Sequence, residues 1–148
     1  MASHHPVMTK DDLIAFLDRE FPQMHMGGQT YFLEEIGPLS ARMRMDYHDR
    51  HLRPGGTISG PAMMTLADLA LYAAILAHVG PVALAVTTSL NFNFLRKPEP
   101  RPLIAECRLL KLGKRLAVGE VSMVSQGSCE VVCHATGTYS IPEGQRGR

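Results

Sequence analysis

The sequence predicts an α+β fold in which one long apolar helix lies across an antiparallel sheet of similar length. From Ile58 to Leu95, thirty-eight residues, the only side chains that ionise near neutral pH are Asp68 and His78. Within that stretch, Pro61 to about Val79 is built of Ala, Leu, Met, Ile and Tyr and is closed by Gly80 and Pro81, a helix with a stop signal. The other long segments alternate apolar and polar residues with period two, as half-buried strands do. The lengths also match: a helix of about 19 residues is ~28 Å long, and strands of about 8 to 12 residues span ~27 to 40 Å. Each can therefore bury the other's apolar face.

A chain of 148 residues with 45% hydrophobic and 20% charged side chains fits one domain over 1–148, with its core at about 30–141. That length buries enough surface to need no disulfide or metal staple. Fifteen Lys and Arg against fourteen Asp and Glu give a net charge of +1 with no basic block, which argues against sequence-general nucleic-acid binding. A membrane span is excluded by Asp68 in mid-helix, by the Gly80–Pro81 break, and by an uncharged run far shorter than the ~20 residues a crossing needs. Three Cys without a C-x-x-C pattern do not form a disulfide framework. Cys129 and Cys133 would lie roughly 13 Å apart along a strand, too far to bridge. The opening MASHHPVMTK has no apolar signal region, so a cytoplasmic location is expected.

Thr9-Lys10-Asp11-Asp12 forms a capping box, and Leu13, Ile14, Phe16, Leu17 and Phe21 recur at helical spacing, predicting a short helix over about 10–21 that Pro22 ends. Met24 to Gly28 reads as a loop, and Tyr31 to Ile36 as a short strand. Met43, Met45 and Tyr47 alternate with Arg42, Arg44 and Asp46 in the next strand. Arg53-Pro54-Gly55-Gly56 is a turn, and Pro61 suits a first helical position with Gly60 or Ser59 as the cap. After the long helix come strands at Val82–Phe94, Leu103–Leu112, Leu116–Ser125 and Glu130–Ile141, with hairpins at Gly113 and Gly127. The tail 142–148 is expected to be flexible.

Asp68 is the leading site candidate. Its helical neighbours are Met64, Thr65, Leu71 and Tyr72, and burying a charge among such groups is costly unless it is paired. Burial also tends to move a carboxyl group towards the range useful to a general base. The competing reading is a structural acid satisfied by hydroxyl or backbone groups across a subunit interface. Gly60 at the helix start would leave backbone N–H groups, at the positive end of the helix dipole, free to meet an oxygen gaining negative charge; otherwise it is only a cap. Eight residues of helix place Gly60 and Asp68 ~12 Å apart along the axis, whereas a base and an oxyanion donor must both lie ~3 Å from the reacting group. If both act, the site takes Gly60 from one chain and Asp68 from a two-fold mate.

Residues 51–70, HLRPGGTISGPAMMTLADLA, resemble the turn and central-helix start of hotdog-fold acyl-CoA thioesterases of the PaaI-like, phenylacetate-degradation family. That family carries a pattern close to H-x-N-P-x-G-x-x-H-G-G, with an Asp in the helix that follows. Thr87-Thr88-Ser89-Leu90-Asn91-Phe92 and Leu95-Arg96-Lys97-Pro98 also resemble its next strand and strand end, and the likeness covers about residues 40–141. It implies a hotdog fold, a homodimer or a dimer of dimers, and hydrolysis of an acyl-CoA or aryl-CoA thioester, with coenzyme A present only as part of the substrate. On this resemblance Asp68 is the acid, Gly60 the oxyanion-binding glycine, and Thr87, or one step off Thr88, the hydroxyl that helps hold the attacking water. The family's His falls on Ser59, its second Gly on Pro61 and its turn Asn on Arg53, which leaves an acyl-CoA-binding module with little or no turnover as the second reading.

Other residues carry weaker signals. Asp46 and His51 have a D-x4-H spacing similar to that of hotdog hydratases. His48 and His51 lack a third ligand for a metal, so no metal is expected. Ser59 has no adjacent base to make it a nucleophile. His78 reads as a favourable partner of the helix C-terminal dipole. Arg96-Lys97, or Lys111, Lys114 and Arg115, would suit coenzyme A phosphates if they are more than solvated turns. Met43, Met45, Met63 and Met64 read as core filler, with an acyl tunnel as the alternative. His134, Thr136, Thr138 and Ser140 alternate opposite Val131, Cys133, Ala135 and Tyr139 and read as a sheet face or an interface.

Overall fold

The computed structural model describes residues 4–143; of the expected flexible tail, residues 144–148 lie outside them. Helix α1 (Lys10–Glu20) starts at the capping box: Thr9 Oγ1 accepts from Asp12 N–H at 3.1 Å, and the Asp12 carboxylate accepts from Thr9 N–H. Leu13, Phe16 and Leu17 bury its apolar stripe. Where a loop was expected, Pro22–His25 forms a 3-10 turn, which Pro at its first position favours. Strands β1 (Tyr31–Gly37) and β2 (Ser40–Met45) then form a hairpin. Met43 and Met45 are fully buried. Tyr47 breaks the expected alternation, because the strand has ended and its hydroxyl donates to Gly56 O at 2.7 Å.

Helix α2 (Gly60–Val79) follows the Arg53–Gly56 turn. Ser59 is its N-cap: Oγ accepts from Ala62 N–H at 3.2 Å, which a glycine cannot do, so Gly60 is the first helical residue and not the cap. Its most apolar window has a mean hydropathy of 1.7, and 83% of that window is buried inside the protein. The apolarity serves the core. Gly80 ends the helix at φ 97°. Strand β3 (Val86–Phe94) begins later than the expected Val82, because Val82 N–H and Ala85 N–H are spent on turn bonds to Gly80 O and Val82 O. Strands β4 (Leu103–Leu112), β5 (Leu116–Ser125) and β6 (Val131–Ser140) complete the chain.

All neighbours in the six-stranded sheet are antiparallel, in the order β1-β2-β4-β5-β6-β3. α2 lies on one face, against Leu103, Ala105, Val121, Met123 and Ala135, all fully buried. Gly119 and Gly137 pair across β5 and β6 where Leu71 of α2 meets the sheet, and a Cβ on either would come within 2.6 Å of a Leu71 methyl. His78 does not act as a charge at the helix end. Its Nδ1–H donates to Ala74 O at 2.7 Å and its Nε2 accepts from Leu39 N–H at 2.8 Å, an arrangement that needs the neutral ring. Burial, partly opposed by the Ala74 bond, holds it below the usual histidine range.

Candidate active site

The first turns of α2 leave only one stripe uncovered, formed by Pro61, Met64, Thr65 and, partly, Asp68. Clefts open along this side. The first, about 590 Å³, is lined by Asp68, Met64, Thr65, Leu69 and Tyr72 of α2, Val86, Thr87 and Leu90 of β3, Tyr139 of β6, and Glu20 and Phe21 at the end of α1. The second, about 630 Å³, is lined by Gly60 and Met63 with Arg53, Phe94, Arg96 and Lys97.

Asp68 is paired, but not by its helical neighbours. Thr65 Oγ1 donates to Pro61 O at 3.1 Å and Tyr72 Oη to Ala83 O at 2.9 Å. The hydroxyls that reach Asp68 come from the sheet: Thr87 Oγ1 and Tyr139 Oη each donate to Oδ1 at 2.6 Å, and Tyr139 Oη also lies 3.0 Å from the Asp68 carbonyl oxygen. Thr87 and Tyr139 are register partners on β3 and β6, so one step of the ladder delivers both. A bulge between Thr87 and Ser89 makes this possible. Strict alternation back from Phe92 and Leu90 would turn Thr88 inward, but the extra residue shifts the phase and brings Thr87 in. Thr88 instead donates to Thr138 O at 3.2 Å. Burial first, then the Asp68 charge, raise the Tyr139 phenol above its ordinary range, so it remains a neutral donor.

The structure thus brings Asp68, Thr87 and Met64 together in the first cleft and Gly60, Arg53, Arg96 and Lys97 in the second. Ser59 and Thr88 line neither. Gly60 N–H sits in the first helical turn, where no intrahelical acceptor exists. The hydratase-like pair is not formed: Asp46 binds Arg44, while His51 is buried with Nε2 2.8 Å from Thr30 Oγ1. Among the described residues no group of three His, Cys, Asp or Glu could hold a metal. Sequence reasoning passed over Tyr139, Phe21 and Tyr72. The available signal was a tyrosine on the inward face of a strand otherwise carrying Cys133 and Ala135, since a buried phenol needs a partner.

A protein from Silicibacter sp. TM1040, solved by crystallography and carrying a provisional thioesterase name, is 45% identical, with a TM-score of 0.86 over 95% of this chain and 96% of that one. A mutant of the phenylacetic acid degradation protein PaaI from Thermus thermophilus is 26% identical, with a TM-score of 0.70 over 82% of this chain and 99% of that one. A provisionally named esterase of Saccharolobus solfataricus is 24% identical across 91% of this chain and 81% of its own length. The family described as "Thioesterase superfamily" matches residues 55–132, more than half of the 148 residues. By that match and these likenesses, the chain belongs to the thioesterase superfamily and has its hotdog fold.

Proposed function

We propose that the protein hydrolyses acyl-CoA or aryl-CoA thioesters with Asp68 as general base. The observation that carries this is the Asp68 carboxylate, held by Thr87 and Tyr139 in the lining of the first cleft. Water attacks the thioester carbonyl carbon as one of its protons passes to the free Asp68 oxygen. The oxyanion is met by a Gly60 N–H; collapse then breaks the C–S bond, and the thiolate leaves with the proton held by Asp68. The products are a carboxylic acid and coenzyme A, and no separate cofactor is needed. Thr87 here holds the carboxylate, so its influence on the water is exerted through Asp68.

The placement of the two clefts supports a site shared between two copies. β3 is an open edge, with Val86 54% and Phe94 46% exposed, and such edges are normally covered. If β3 pairs antiparallel with its two-fold mate about Leu90, Val86 of one copy faces Phe94 of the other. Val86 lines the Asp68 cleft and Phe94 the Gly60 cleft, so a homodimer would join Asp68 of one protomer to Gly60 of its partner. A dimer of dimers is compatible with this. Arg53, Arg96 and Lys97 line the cleft that holds Gly60, which supports them as partners of the coenzyme A phosphates. The three free cysteines suit a reducing cytoplasm.

Thiol release from a panel of acyl- and aryl-CoAs tests the reading. Asp68→Ala should lower the rate about 10²- to 10⁴-fold; an unchanged rate on every hydrolysed thioester sinks the assignment. A second reading, an acyl-CoA-binding module without turnover, is favoured by Ser59, whose hydroxyl is committed to capping where the family pattern has His. Calorimetric binding with no thiol release would establish it.

A further inference from the structure

We propose that Tyr139 is a positioning residue that assigns different work to the two oxygens of Asp68: Oδ1 is the anchored oxygen and Oδ2 the reacting one. The proposal deepens the hydrolase reading and its catalytic part rests on it. Oδ1 accepts from both Thr87 Oγ1 and Tyr139 Oη at 2.6 Å, whereas no hydrogen bond from a described residue reaches Oδ2, and the side chain lines the cleft. A carboxylate with two donors on one oxygen cannot rotate about its Cβ–Cγ bond without breaking both, so Oδ2 is left aimed at the cleft. Tyr139 can hold this position because it is itself fixed. It is 3% exposed, its ring stacks on Tyr72 at 6.2 Å and 29°, and Tyr72 in turn meets Phe21 edge-on at 6.0 Å. The hydroxyl lies within reach of both the Asp68 carboxylate and the Asp68 carbonyl, which ties the side chain to its own helix turn.

Proton transfer in the reaction occurs at Oδ2, and Tyr139 gains or loses no proton.

Tyr139→Phe removes one hydroxyl and keeps the ring stack. Its kcat on the best thioester should fall about 10-fold with KM within about twofold, the split expected of a group that positions the base and does not bind substrate. Carbon-13 labelling of the aspartate carboxyls supplies a readout that needs no substrate: at one neutral pH the Asp68 carboxyl resonance, set in part by the two donors on Oδ1, should move in Tyr139→Phe relative to the parent. Asp68→Asn, assayed alongside, separates the two ideas. If Asp68→Asn is inactive while Tyr139→Phe keeps the parental kcat and an unmoved Asp68 resonance, the positioning role is overturned and the hydrolase reading stands. If the Asp68 resonance moves but Asp68→Asn hydrolyses normally, the anchoring of Oδ1 is upheld, while Asp68 as general base, and Oδ2 as the reacting oxygen with it, is overturned. A lower melting temperature with an unmoved resonance makes Tyr139 merely structural and overturns the proposal.

Discussion

At the scale of single residues, neutral and ionised side chains are assigned by what faces them. Asp68 meets two hydroxyl donors; His78 meets a donor on one nitrogen and an acceptor on the other, so protonating Nε2 would set its N–H against that of Leu39. Because the folded value of His78 is depressed, the unfolded chain takes up protons first as pH falls. Its contribution to stability is therefore full above the unfolded histidine value, near 6.5, and is lost as pH falls from there towards the folded value. His51, lowered by burial, then by Arg50 and His48, adds in the same direction. Urea unfolding should give the parent a lower midpoint at about pH 5.5 than at about pH 7.5, on either side of that unfolded value. His78→Gln, less stable at neutral pH, should show a smaller drop over that interval; an equal drop would show that His78 does not carry the dependence.

At the scale of elements, the seat of α2 on the sheet depends on the absence of two side chains. Gly119 and Gly137 face each other across β5 and β6, and Leu71 occupies the space their missing Cβ atoms leave. Leu71 is fully buried, so it has little room to retreat. Gly137→Ala is therefore expected to destabilise the fold by about 1–3 kcal/mol, the usual range for overpacking a tight core, read as a lower denaturation midpoint. Pairing it with Leu71→Ala, which removes one of the two colliding methyl groups, the other being Leu90 Cδ2, also 2.6 Å away, should make the two effects less than additive. Strict additivity would place the strain elsewhere. The Thr87 bulge belongs to the same scale: one extra residue in β3 decides which hydroxyl meets Asp68.

At the scale of the whole molecule, the two clefts of one protomer cannot converge, since Gly60 and Asp68 are fixed eight residues apart on one helix. A shared site makes a quantitative prediction. Asp68→Ala and Gly60→Val protomers, each inactive alone, should complement when unfolded, mixed equally and refolded. Each heterodimer has one site carrying both changes and one carrying neither, so random pairing should restore about a quarter of parental activity. A Cβ at Gly60 meets only Phe94, at an ordinary 3.6 Å, so the first atom of the substituted side chain does not disturb packing within the protomer. No recovery in dimers shown by mass to be mixed would mean that the two residues do not share a site across protomers.

The sequence by itself determined the α+β class, the long helix and its Gly80 stop, the β4 and β5 spans, the α1 capping box and the standing of Asp68 as a lone acid in an apolar helix. These depend on short-range physics: period, propensity, capping oxygens and the cost of a charge in an apolar helix. It also left Thr87 and Thr88 both open, with reason, because strict period two favours Thr88 and only the pairing of β3 with β6 reveals the bulge that reverses it. The neutral bridge made by His78 to Leu39 and the engagement of Asp68 by Tyr139, 71 residues away along the chain, were likewise decided by tertiary structure. Each of them depends on which group lies opposite in space, and that follows from register and packing between segments that local sequence does not encode.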